Sequence, residues 1–271
     1  MNRIDQRFET LRARGECAFI PYIAAGDPTL EHTIQMIVSL EKAGADVIEL
    51  GVPFSDPLAD GVVNQEAALR ALKSHVTLHD VVAMVKEARA QTEVPLLLFT
   101  YFNPVLAYGV EAFARDAKEA GVDGVLCVDL PPEEAEDYVA HMRRAGLATV
   151  FLIAPTSTPG RIERIAQVST GFIYYVSRTG VTGTRDNLEA TVHGVVDEIR
   201  KHTGKPIAVG FGISTPEQAS EVAGFADGVI VGSAIVRMMG EEGGGPEAAE
   251  RVAAFAKTLS GAAKSVRTAA S

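Results

Sequence analysis

Short apolar runs rich in β-branched residues alternate along this chain with longer amphipathic stretches. The runs fall at Phe19–Ile23, Val47–Leu50, Leu96–Phe99, Gly124–Val128, Thr149–Ile153, Gly171–Val176, Ile207–Val209 and Gly228–Val231. Each has the length of a strand. Between them, apolar residues recur at helical spacing over Leu30–Ala43, Leu78–Ala90, Val110–Ala120, Glu133–Ala145, Pro159–Val168, Leu188–His202 and Pro216–Ala223. A short helix is expected over Ala234–Met238, and a final one after the flexible Gly243–Gly245. Such alternation implies parallel strands joined by helical crossovers. Eight units favour closure over an open doubly wound sheet. The expected fold is therefore α/β, a single-domain (β/α)8 TIM barrel with extra short helices over residues 1–271, frayed from about Ser265 to Ser271.

The helix–strand joints repeat one design. Ala43-Gly44-Ala45-Asp46, Ala120-Gly121-Val122-Asp123, Ala145-Gly146-Leu147 and Ala223-Gly224-Phe225-Ala226-Asp227 each place Gly just past a helix and an apolar run soon after. Glycine there accommodates a left-handed cap.

Composition narrows the partners. The formal charge is −10, which argues against nucleic acid or an anionic membrane surface. An anionic substrate then requires a local device, such as backbone N–H groups at a helix N-terminus. The stretch Met1 to Arg14 is dense in charge and has no apolar core, so no signal peptide is read. The longest apolar run, near Val94 to Phe102, is too short to span a bilayer. Cys17 and Cys127 lie beside or within apolar runs and read as buried thiols, which fits a reducing cytoplasm. His75 and His79 share helical spacing but lack a third ligand, so no metal is expected.

Candidate chemistry gathers at the ends of the strands, where barrels of this kind keep their sites. Glu49 ends the second strand, and Asp60 lies eleven residues later in a Pro/Gly/Asp-rich loop. Singly, each reads as a strand-end or turn acid. Projecting into one concavity from different supports, the two can hold different protonation states. Tyr174 and Tyr175 end the sixth strand, and only one of them can face the interior. Asn103 and Asp129 follow the third and fourth strands and read as turn or cap residues. Three glycine-rich elements follow the sixth, seventh and eighth strands: Arg178 to Thr184, Gly210 to Ile213, and Gly232-Ser233-Ala234. Together they point to phosphate held on main-chain N–H groups; loop closure is the plainer reading of any one.

The run Ile48-Glu49-Leu50-Gly51-Val52-Pro53-Phe54-Ser55-Asp56-Pro57-Leu58-Ala59-Asp60-Gly61 resembles the signature of the tryptophan synthase alpha-subunit family. The likeness continues through Phe19-Ile20-Pro21-Tyr22, Ala25-Gly26-Asp27-Pro28, Tyr101-Phe102-Asn103-Pro104, Val128-Asp129-Leu130-Pro131, Ser177 to Gly183, Gly210 to Ser214 and Val231 to Val236. It implies retro-aldol cleavage of indole-3-glycerol phosphate to indole and glyceraldehyde 3-phosphate, without metal or organic cofactor. By this resemblance Glu49 is the general acid/base and Asp60 accepts from the indole N–H. Tyr174 positions the substrate. Gly183, Gly212, Gly232 and Ser233 hold the phosphate. Tyr22, Thr100, Ile153, Thr182 and Phe211 line the pocket, with Thr182 linking its loop to Asp60. The implied partner is a beta subunit carrying pyridoxal phosphate, in an α2β2 heterotetramer that channels indole. Pro53 and Asp56 are expected at that interface.

One departure stands beside the acid pair. Val62-Val63-Asn64-Gln65 follows Gly61, where the family commonly has Pro first and an apolar residue third. Asn64 thus changes polarity near the substrate or the interface. Three other readings remain open: a stand-alone lyase releasing free indole, another phosphate-binding barrel, and a non-catalytic barrel that only binds a partner.

Overall fold

The computed structural model describes residues 2–176, 185–210 and 212–266, with side chains in 185–191 left aside. Among the described residues nine parallel strands run β1 (Ala18–Ala24), β2 (Ile48–Gly51), β3 (Leu96–Thr100), β4 (Gly124–Cys127), β5 (Ala148–Thr149), β6 (Leu152–Ile153), β7 (Ile173–Val176), β8 (Ile207–Gly210) and β9 (Gly228–Val231). The helices are α1 (Arg3–Arg14), α2 (Leu30–Lys42), α3 (Val62–Leu72), α4 (Leu78–Ala88), α5 (Phe102–Tyr108) and α6 (Val110–Ala120). They continue as α7 (Glu136–Ala145), α8 (Pro159–Val168), α9 (Arg185–His202), α10 (Pro216–Ala223), α11 (Ser233–Glu242) and α12 (Pro246–Ser265).

Strand order is β5-β4-β3-β2-β1-β9-β8-β7-β6. β5 and β6 are two halves of the fifth barrel strand. Across the break, Val150 N–H donates to Val125 O at 3.1 Å and Tyr174 N–H to Phe151 O at 3.4 Å. Nine segments therefore fill eight barrel positions, and the curled sheet closes as the alternation predicts.

Strand alternation sorts the core into two layers. Ile20, Val47, Leu97, Leu126, Val150, Phe172, Tyr174, Ala208 and Ile230 pack inside the barrel. Their sequence neighbours, among them Phe19, Ile48, Leu98, Ile153 and Tyr175, pack outward under the helices. α1 closes the N-terminal end. Its Ile4, Phe8 and Leu11, spaced as one helical face, join the inner cluster. This helix, α3 and α5 go beyond the elements expected from periodicity. No described helix is long and apolar enough to cross a membrane.

The repeated joints have a structural meaning. Gly44, Gly121 and Gly146 adopt φ of 98°, 94° and 72°, as left-handed caps require. Gly224 does not: its φ is −67°, and its chain reaches β9 through one more residue. Three of the joints end in an aspartate that accepts a main-chain N–H from a neighbouring strand. Asp46 takes Phe19 N–H at 2.8 Å, Asp123 takes Leu96 N–H at 3.0 Å, and Asp227 takes Ile207 N–H at 2.8 Å. Each also meets cations: Arg7 and Lys264 at Asp46, Arg3 and Arg89 at Asp123, Arg200 at Asp227.

Candidate active site

The C-terminal ends of the strands form the opposite mouth of the barrel. Tyr22 on β1 is the register partner of Glu49 on β2, and both face inward. Glu49 is wholly buried, and neither carboxylate oxygen has a partner among the described residues. Burial alone pushes its pKa up to about 8. An unpaired carboxylate is costly in such a place, so the neutral acid is the form the fold accepts at neutral pH.

Asp60 sits at the end of the loop after β2, half-buried, and its environment differs. Tyr101 Oη donates to Asp60 Oδ2 at 2.8 Å and accepts from Ala59 N–H at 3.0 Å. The Tyr101 ring stacks on Phe54 at 4.9 Å between centroids. Burial raises the Asp60 pKa, while hydrogen bonds from Tyr101 and Asn64 pull it down. Among the described residues one acid thus has no partner and the other has a phenol donor, which divides their protonation states.

Two tyrosines flank Glu49 by one device. The Tyr22 hydroxyl lies over Gly51, where any Cβ would collide with it. The Tyr174 hydroxyl lies over Gly210, where a Cβ would stand 2.8 Å away. Burial raises both phenol pKa values well above the ordinary range, and the negative charges of Glu49 and Asp60 add to the rise. Tyr174 is therefore the inward member of its pair; Tyr175 packs in the outer layer.

Alternation corrects two expected pocket residues. Thr100 follows Phe99 on β3 and shares the outward face of Leu96 and Leu98; its hydroxyl donates to the Tyr101 carbonyl at 3.2 Å. Ile153 likewise belongs to the outer layer. The inward residues at these levels are Phe99 and Leu152. Phe99 meets Tyr22 edge to face at 5.3 Å, forming an apolar wall that reading by single positions missed. The period-two rule, counted outward from Glu49, is the signal that finds it.

At the expected phosphate site, Gly232 caps α11, whose first turn carries no acid and whose N-terminus has no side-chain cap. Ser233 is its first residue. Gly212, at φ 67°, follows the adjacent strand β8. Unpaired N–H groups at a helix start are a ready anion cradle. Gly183, Thr182 and Phe211 lie outside the described residues. Of the expected interface pair, Asp56 is exposed but Pro53 is buried within the chain, so it cannot offer a surface. Exposed apolar side chains near the mouth are Leu58 at 84%, Val62 at 69% and Leu106 at 59%.

Elsewhere, Asp129 Oδ1 accepts Phe102 N–H at 2.7 Å and so starts α5, as a cap residue does. His79 stacks on Tyr108 at 3.7 Å between centroids. No group of three potential metal ligands occurs among the described residues.

The family model for the tryptophan synthase alpha chain matches residues 8–264. This chain belongs to that family. The alpha chain of Geotalea uraniireducens is 52% identical over 98% of this chain and 99% of its own length. Among solved structures, the alpha subunit from Legionella pneumophila is 41% identical, covers 97% of this chain and 98% of its own, and superposes with a TM-score of 0.88. An open form of tryptophan synthase from M. tuberculosis aligns at 34% identity, covering 99% of this chain and 100% of its own, with the same score of 0.88.

Proposed function

We propose that this chain is the alpha subunit of tryptophan synthase, cleaving indole-3-glycerol phosphate to indole and glyceraldehyde 3-phosphate. The observation that carries the residue roles is the pair of unlike acids: Glu49 buried without a partner among the described residues, Asp60 furnished with a donor by Tyr101. Protonated Glu49 delivers its proton to indole C3, which converts the ring to the indolenine tautomer. Ionised Asp60 accepts from the ring N–H and offsets the positive charge that develops there. The Glu49 carboxylate then takes the proton of the glycerol hydroxyl beside the ring. As the C–C bond breaks, that carbon becomes the aldehyde and the electron pair returns to the ring. Glu49 ends protonated, as it began, so the cycle balances without a metal or cofactor.

Tyr174 positions the reacting carbons, Tyr22 and Phe99 wall the indole, and Gly212, Gly232 and Ser233 hold the phosphate on main-chain N–H groups. Pyridoxal phosphate belongs to the beta subunit, which consumes the indole in an α2β2 complex. Asp56 and the apolar Leu58, Val62 and Leu106 are suited to meet it. The setting is cytoplasmic, in keeping with two free buried thiols.

The test measures glyceraldehyde 3-phosphate release with and without a purified beta subunit. Slow release that rises sharply with the partner supports the alpha-subunit reading. Fast release indifferent to the partner indicates a stand-alone lyase, and no release in either case overturns the reaction.

A further inference from the structure

Tyr101 is buried just past the C-terminal end of β3, where the barrel fixes its main chain on both sides. Thr100 O before it accepts from Val128 N–H at 2.9 Å, and Phe102 N–H after it donates to Asp129 Oδ1 at 2.7 Å. Its own carbonyl accepts from the Thr100 hydroxyl at 3.2 Å. The side chain therefore starts from a rigid strand end and leans onto the loop after β2.

It meets that loop at both ends. At the start, its ring stacks on Phe54, with centroids 4.9 Å apart and planes inclined by 30°. At the end, its hydroxyl accepts from Ala59 N–H at 3.0 Å and donates to Asp60 Oδ2 at 2.8 Å. The Ala59 N–H points its hydrogen at the phenol oxygen, so the phenol's own hydrogen is directed at the carboxylate. Oδ2 is thereby engaged, and Oδ1 is left to accept from the substrate. Other ties in the loop run to its main chain: Gln65 Nε2 donates to Asp60 O at 2.9 Å and to Pro57 O at 3.3 Å. Those ties hold the backbone of Asp60; the orientation of its carboxylate is set by what its oxygens meet. Orientation matters to the chemistry, since a catalytic group misplaced by about 1 Å can lose about a hundredfold in rate.

We propose that Tyr101 is a positioning residue for the lyase reaction: it pins residues 54–60 to the end of β3, and its hydrogen bond to Oδ2 turns Oδ1 of Asp60 toward the indole N–H. The inference rests on the role given to Asp60 above. A phenol suits the task because one rigid ring spans from Phe54 to the carboxylate. Burial raises the Asp60 pKa and the same hydrogen bond opposes that rise, which favours the ionised form the reaction needs.

The experiment compares wild type, Tyr101→Phe and Tyr101→Leu as complexes with the beta subunit, with melting curves to confirm folding. The readouts are kcat and KM for indole-3-glycerol phosphate across about pH 5 to 9. Phe keeps the ring and its stack on Phe54 and removes the hydroxyl; Leu removes both. In the Phe variant kcat is expected to fall about tenfold while KM moves less than about threefold, because the Asp60 contact strengthens as charge develops on the ring. Its acid limb is expected to move to higher pH by about one unit or less, since a carboxylate that loses a donor holds its proton more tightly. The Leu variant is expected to show the same displacement with a further loss of about threefold at every pH, from the freed loop. A Phe variant that superimposes on wild type overturns the proposal. So does a Phe variant that loses one factor at every pH with its acid limb in place, as a residue that merely packs would. Equal profiles for Phe and Leu overturn the part given to the ring. A wild-type complex that fails to cleave the substrate overturns the assigned reaction and this inference with it.

Discussion

At residue scale, the site trades stability for chemistry, and the trade is concentrated in Glu49. Its carboxyl is wholly buried, has no partner among the described residues, and has its pKa raised to about 8 by burial. In the unfolded chain the same group titrates near 4.3. The folded state therefore holds its proton more tightly than the unfolded state does. Folding stability from this group is full below the unfolded value and declines as pH rises toward 8, where it is lost. The decline amounts to roughly 3–5 kcal/mol. Glu49→Gln cannot ionise. Urea denaturation at about pH 6 and pH 9 is expected to show wild type weakening between the two while the Gln variant stays nearly level, apart from titrations common to both. Cleavage by that variant is expected to vanish, because no proton can be delivered to C3 or recovered from the hydroxyl. A wild type that keeps its stability at pH 9 would show that Glu49 finds a partner for its charged form and that burial does not hold the proton on it.

At element scale, the eight strand positions and seven crossover helices follow from periodicity, and the first long-range surprise is what seals the ends. α1 carries Ile4, Phe8 and Leu11 at helical spacing, a pattern visible in the chain but outweighed there by its dense charge. Those charges turn out to have partners: Arg3 reaches Asp123 and Arg7 reaches Asp46. α3 has only Ala67 and Ala71 buried, too narrow an apolar stripe to announce a helix. The pairing of Gly51 with the Tyr22 hydroxyl, or of Gly210 with that of Tyr174, is invisible in one dimension because it depends on the register of adjacent strands. The family motif points to Glu49, Asp60 and Tyr174, whereas Thr100 and Ile153 fall on the outer face because a single-residue shift flips a strand side chain to the other face. The joint aspartates permit a test at this scale. Asp123 is buried and binds Leu96 N–H, Arg3 and Arg89, the last at 2.7 Å. Asp123→Asn keeps the shape but strands the poorly exposed Arg89 cation, at an expected loss of about 3–5 kcal/mol in urea denaturation. Because these joints lie at the end opposite Glu49, kcat at moderate temperature should change less than about twofold. A matching collapse of kcat in well-folded protein would show that the two ends are coupled.

At the scale of the whole molecule, function depends on admitting an anion into an anionic protein. The chain carries a formal charge of −10, and the substrate's phosphate is also negative. The first turn of α11 carries no acid and no side-chain cap; the attraction proposed there comes from main-chain dipoles, which act over a single helical turn. Long-range and short-range electrostatics therefore oppose each other, and salt separates them. Counter-ions screen charges beyond about 8 Å at physiological ionic strength, so they weaken the overall repulsion while leaving the contact between phosphate and N–H groups nearly intact. Raising sodium chloride from about 0.01 M to 0.15 M is accordingly expected to raise kcat/KM, by about twofold, through KM rather than kcat. A phosphate held by lysine or arginine side chains would show the reverse, a steady fall with salt. Sodium sulfate serves as the control: it screens as well, but its dianion fits the same cradle, so it should inhibit competitively where chloride activates. If both salts act alike, the phosphate is not held by the α11 N-terminus, and the described glycines would be closing loops rather than binding substrate.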